Sequence, residues 1–261
     1  MASITAAKNR LPWWVGPITV STVLVLFTVY AMYVVFFRPD GQYQSLLSPF
    51  YSPPVGIPGW MPGWVTAPML VLWIPLGFRA TCYYYRKAYY RAFFWDPPAC
   101  SSKAQEREPR GNNYNGERAL FILNNIHRYF LYGSIIVVAF LWYETAVSFF
   151  PEGGFGMTIG SLVLLTNIVL LSGYTFSCHS FRHLVGGNKD CYSCVKSGGS
   201  TGSEVRSENF LRKLRRKTYN GVSVINGQHA SWAWASLFML LIADLYIRLL
   251  QAGVITDLRI F

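Results

Sequence analysis

The residues best equipped for chemistry in this chain are its sulfur and imidazole donors: Cys82, Cys100, Cys178, Cys191 and Cys194, with His127, His179, His183 and His229. Three of the five cysteines and two of the four histidines crowd into one stretch, FSCHSFRHLVGGNKDCYSC, from Phe176 to Cys194. Thiolates and imidazoles together suit soft and borderline metals, so the stretch reads as a candidate metal site. An odd number of cysteines closes no complete disulfide framework, and their mixing with histidines favours ligation over bridging. His179 and His183 are four apart, so on a helix they share one face and could hold one ion through two imidazoles. Cys178 would sit about 100° around that helix, near enough to serve a second metal atom.

Three kinds of centre use such donors. Two thiolates on one iron and two imidazoles on the other make a Rieske-type 2Fe-2S cluster, and Cys82, Cys178, His127, His179, His183 and His229 permit that set. A structural zinc site could pair Cys191-x-x-Cys194 with His179 and His183, although no second CxxC completes a zinc knuckle. One b-type haem could lie between His127 and either His229 or His179, which leaves the cysteines without a role. Each donor also has a plain structural use: a histidine at a helix end caps carbonyls or meets a phospholipid head group, and Cys100 could be a free thiol.

The elements that must position these donors cross a membrane. Of the 261 residues, 52% are hydrophobic and 13% charged, with 17% aromatic, too apolar for an ordinary soluble domain. The formal charge of +11 does not indicate nucleic acid, because the Lys and Arg side chains flank apolar runs and form no basic domain of their own. The pattern predicts an all-α integral-membrane bundle of five spans, at about 11–37, 65–92, 120–150, 157–181 and 228–250, with loops at 93–119 and 182–227. The first apolar run is too long for a signal-peptide core and has no small-x-small cleavage site, so it reads as a retained span. Pro68 and Pro75 in the second span predict a kink near Pro75. The segment SPFYSPPVGIPGWMPGW between the first two spans reads as an ordered loop at the outer interface.

Lys and Arg count by side fixes the expected orientation. With the N-terminus inside, only Arg38, Arg248 and Arg259 of the 23 fall at the outer face, so the N-terminus is cytoplasmic and the C-terminus outside. All the cysteines and histidines then collect at the cytoplasmic ends of spans two to five. The expected location is the plasma membrane, the inner one of the cell, crossed several times.

Other polar groups have two readings each. Asp244 and Arg248, four apart on span five, neutralise each other or belong to a proton path with Glu144 and Asn167; mutual neutralisation is the reading preferred. The stretch RATCYYYRKAYYRAFFW is an interfacial helix on anionic lipid, and with Trp232 and Trp234 it could also wall a flat pocket in which Arg86, Tyr89 and His127 donate to a quinone carbonyl. The basic run LRKLRRK touches phospholipid or docks an acidic soluble partner. No dinucleotide fingerprint is present, so flavin chemistry would reside on another polypeptide.

The long motifs RATCYYYRKAYYRAFF with PPAC, then NIHRYF, YTFSCHSFRHLVGG, and NGQHASWAWASLF with ADLYIRLL carry a resemblance. From the second span onward, the chain resembles the five-helix membrane anchor of the haem-free succinate dehydrogenases that hold a membrane-embedded Rieske-type cluster. The resemblance implies a subunit that binds a flavoprotein and an iron-sulfur protein on the cytoplasmic face and passes succinate's electrons to quinone, in a complex that could oligomerise further. By position it implies ligands among Cys82, Cys178, His179, His183 and His229, with His127 next. Only four can ligate, and spacing leaves the choice open. Cys191 and Cys194, and the Gly/Ser-rich stretch after them, lie outside the family pattern.

Overall fold

The computed structural model describes residues 12, 14–38, 40–93, 123–151, 154–186 and 210–260, without the side chains of residues 86, 87, 90, 91, 123–125 and 212. Helix α1, Val15–Phe37, is apolar all round and has almost no buried surface of its own. Leu26, Val29 and Phe37 are more than half exposed, which only a hydrocarbon solvent makes inexpensive. Three further helices are long and apolar enough to cross a membrane. They are α5, Leu123–Val147, in which the qualifying run is Ile126–Val147; α6, Ile159–Phe176; and α9, His229–Gln251.

The expected second span takes a different form. It is three short helices, α2 Ala67–Val71, α3 Trp73–Thr81 and α4 Tyr83–Phe93, none of them long enough to cross alone. The kink expected at Pro75 appears at Leu72, because a proline ring excludes the carbonyl four residues before it and ends the preceding turn. A second break, which the sequence reading did not anticipate, falls on Cys82, whose backbone is extended at φ −60°, ψ 131°.

A matching break ends α6. Ser177 caps it, and Cys178, at φ −63°, ψ 143°, precedes the short helix α7, His179–Val185. The expected loop 182–227 is partly helical, since the end of α7 and the whole of α8, Phe210–Asn226, occupy it. Tyr219 and Val222 anchor α8, while Phe210, Leu211 and Leu214 stay exposed beside its basic residues.

Helix α9 packs most extensively on α6, and α3 on α5. Both contacts close on glycine. A Cβ at Gly173 would lie 2.5 Å from the Trp232 ring, and one at Gly77 would lie 2.3 Å from Phe130. At the far end, the small hairpin of β1 (Gln42–Tyr43) and β2 (Leu46–Leu47) leads into a 3-10 turn at Pro49–Tyr51. There Asp244, fully buried on α9, accepts hydrogen bonds from Tyr30, Ser48 and Arg248. Arg248 also donates to the Tyr51 hydroxyl at 2.9 Å and to the carbonyl of Asp40. The Asp244–Arg248 pair is therefore a tie between α1, the hairpin and α9. Arg259 joins the same end through its bridge to Thr158.

Candidate metal centre

The two backbone breaks do parallel work. Each places a cysteine outside helical geometry, directly after a hydroxyl residue: Thr81–Cys82 and Ser177–Cys178. Both sulfurs are buried, at 2% and 1% exposure, in one packed cluster with Phe78, Tyr85, Leu131, Tyr174 and Ala233. Both thiols are free. His127 enters from the first turns of α5 and His229 from the first residue of α9.

The four side chains meet in two crossed pairs. The Nε2 of His127 lies 3.0 Å from the Cys178 sulfur, and the Nε2 of His229 lies 3.4 Å from the Cys82 sulfur. The other ring nitrogens cross back: Nδ1 of His127 is 3.0 Å from the Thr81 hydroxyl, and Nδ1 of His229 is 2.7 Å from that of Ser177. Each hydroxyl–cysteine dipeptide thus holds one sulfur of the centre and the imidazole that faces the other sulfur.

Aromatic rings fix the imidazole planes. Phe78 stacks on His127 at 4.7 Å between centroids and 8° between planes, and Tyr174 stacks on His229 at 5.1 Å and 16°. Phe78 and Tyr174 meet edge to face at 5.4 Å, so the two stacks brace each other. Arg79 lies over the Tyr174 ring, 4.6 Å from its centroid. It is held by the Tyr85 hydroxyl at 2.6 Å, the Ser236 hydroxyl at 2.9 Å and the Ala233 carbonyl at 3.3 Å. Its cation thus faces the Tyr174 ring that stacks on His229.

The remaining sequence candidates fall as follows. His179 and His183 meet each other across one turn of α7, Nε2 to Nε2 at 2.9 Å. Cys100, Cys191 and Cys194 lie outside the described residues, and so does the side chain of Arg86. Tyr89 donates to the carbonyl of Ala80 at 3.3 Å. Trp232 packs against the cluster, and its buried indole N–H has no acceptor among the described residues. Thr81, Ser177, Phe78, Tyr174 and Arg79 were not singled out from sequence; the repeated hydroxyl–cysteine dipeptide was the one linear signal that could have pointed to the first two.

Among the described residues no three His, Cys, Asp or Glu side chains stand close enough to share a single ion. A dinuclear 2Fe-2S cluster asks for two protein donors per iron, so two pairs match its demand and fall short of a tetrahedral zinc site. Two buried thiols and two imidazoles are also the donor types that such a cluster takes. The close pairs are mixed, one thiol with one imidazole each, whereas a Rieske-type assignment draws both imidazoles to one iron; either division uses the same four residues.

Lipid-exposed helices around a buried cluster of thiols and imidazoles define a helical membrane protein. Residues 15–253 match the family model of the actinobacterial succinate dehydrogenase subunit SdhC, and the chain belongs to that family. Among solved structures, a chain of the Mycobacterium smegmatis Sdh1 complex in the apo form is similar, at 34% identity and a TM-score of 0.74. The match covers 97% of this chain and 93% of that one. No curated protein sequence matches. The chain is therefore a membrane subunit of a succinate dehydrogenase complex.

Proposed function

We propose that this subunit relays electrons from a soluble iron-sulfur partner to quinone through a Rieske-type 2Fe-2S cluster held by Cys82, Cys178, His127 and His229. The observation that carries the reading is the pair of buried thiol–imidazole contacts, 3.0 and 3.4 Å, within one packed cluster. When bound, such a cluster supplies one-electron transfer at a potential above that of an all-cysteine cluster. The chain's own residues supply the rest. The two cysteines offer sulfur from fixed backbone breaks, and the stacked rings hold the imidazole planes.

The b-haem alternative fits less well. A haem iron is bound through a ring nitrogen in the imidazole plane, and here both Nε2 atoms face thiols while both Nδ1 atoms face hydroxyls. The zinc alternative rests on Cys191 and Cys194, outside the described residues. For quinone, Trp232 offers a buried N–H donor in want of an acceptor, next to the cluster that contains Cys82 and Cys178. Arg86 and Tyr89 remain candidates for the wall of that pocket.

We infer the finer topology as well: five crossings, with α2 to α4 together making the second, the N-terminus cytoplasmic and the C-terminus outside, in the plasma membrane. Arg38, Arg248 and Arg259, the three basic residues expected outside, lie at the end that holds the Asp244 tie, away from the thiol–imidazole centre. The flavoprotein and iron-sulfur partners then dock at the centre's end, where the exposed basic residues of α8 face solvent, lipid head groups or protein. The decisive experiment is iron and acid-labile sulfide content with electron paramagnetic resonance on the purified complex. Cys178→Ser should abolish the Rieske-type signal, and a signal of unchanged shape would remove Cys178 from the ligand set.

A further inference from the structure

Thr81 and Ser177 do more than precede the cysteines. The Thr81 hydroxyl donates to the carbonyl of Gly77 at 2.6 Å, so its one proton is engaged along its own helix. What remains toward His127, 3.0 Å away, is an oxygen lone pair, and a lone pair can only accept. Ser177 repeats the arrangement, with its hydroxyl 3.1 Å from the carbonyl of Tyr174 and 2.7 Å from Nδ1 of His229. A carbonyl has no proton to give, so the chain that leaves no group unsatisfied runs Nδ1–H to hydroxyl oxygen, and hydroxyl hydrogen to carbonyl. Each imidazole then carries its proton on Nδ1 and turns the Nε2 lone pair toward a cysteine sulfur.

Resting on the reading of the site as a metal centre, we propose that Thr81 and Ser177 are positioning residues that lock His127 and His229 in the Nδ1–H tautomer, so that both imidazoles ligate through Nε2. The hydroxyls act as couplers between an imidazole and a helix carbonyl, a place that a carboxylate or carbonyl often fills directly. The coupling is reciprocal across the centre. The break that sets Cys82 also orients the imidazole opposite Cys178, and the break that sets Cys178 orients the imidazole opposite Cys82. One shifted dipeptide therefore disturbs two donors.

The test compares Thr81→Val and Ser177→Ala, which remove the hydroxyl, with Thr81→Ser and Ser177→Thr, which keep it, in the complex assembled with its partner subunits. Two quantities are read: iron retained after a fixed chelator challenge, and the paramagnetic signal with nitrogen couplings from 15N-histidine. Loss of an orienting partner of this kind costs about ten- to a hundredfold in metal affinity. Thr81→Val and Ser177→Ala should lose iron to that extent and shift the signal, while the hydroxyl-retaining variants stay within about twofold of the parent, a margin small beside the tenfold effect.

Retention of iron and an unshifted signal in Thr81→Val and Ser177→Ala would overturn the proposal. Equal loss in Thr81→Ser and Thr81→Val would also overturn it, because a retained hydroxyl would then give the site no protection. Couplings that assign ligation to Nδ1 would refute the tautomer directly. A parent complex with no such signal at all would instead sink the metal-centre reading, a result distinct from any of these.

Discussion

At the scale of single residues, the centre turns on which nitrogen faces which sulfur. Spacing alone made His179 and His183 attractive, because four residues apart on a helix is the shortest route to two imidazoles on one face. In the structure the Nε2 atoms of that pair face each other at 2.9 Å, while His127 and His229 face the thiols. Substitution separates the two sets. His127→Gln and His229→Gln should each abolish the Rieske-type signal, whereas His179→Gln and His183→Gln should leave its shape intact; loss in all four would return His179 and His183 to the ligand set. The family resemblance put His127 after the other candidates, and the placing of its ring against Phe78 and Cys178 raises it.

At the scale of elements, glycines and one carboxylate hold the bundle in register. Helices α6 and α9 meet where Gly173 gives way to the Trp232 ring. Gly173→Val puts carbon where that ring lies, and overpacking of this kind costs about 1–3 kcal/mol. A lowered thermal midpoint of the complex in detergent or nanodiscs is the readout. At the other end, Asp244→Ala strips Arg248 of its carboxylate and leaves the Tyr30 and Ser48 hydroxyls without their acceptor. Removing one partner of a buried pair costs about 3–5 kcal/mol, so the loss should approach the lower part of that range given the partial exposure of Arg248. If Asp244 belonged to a proton path instead, Asp244→Asn would slow turnover while leaving the midpoint nearly unchanged. The second span shows what periodicity conceals: Pro75 marked a break, but nothing in RATCYYY announced that the chain would turn extended at Cys82.

At the scale of the whole molecule, the arrangement is polarised, with donors, aromatic stacks and the basic helix α8 toward one end and the hairpin, Asp244 tie and Arg259 bridge toward the other. Reporter fusions test the inferred topology: an enzyme active only outside should report activity when fused after residue 260 and none when fused ahead of residue 12. The opposite pattern, or two termini on one side, would refute five crossings with the N-terminus inside. The sequence by itself determined the membrane class, the donor types and the family, because hydropathy, composition and long motifs are all linear properties. The tertiary structure alone decided which imidazole meets which thiol and which hydroxyl steadies it. Those donors come from α3, α5, α6 and α9, and the depth and rotation of one helix against another are set by packing, which residue spacing does not encode.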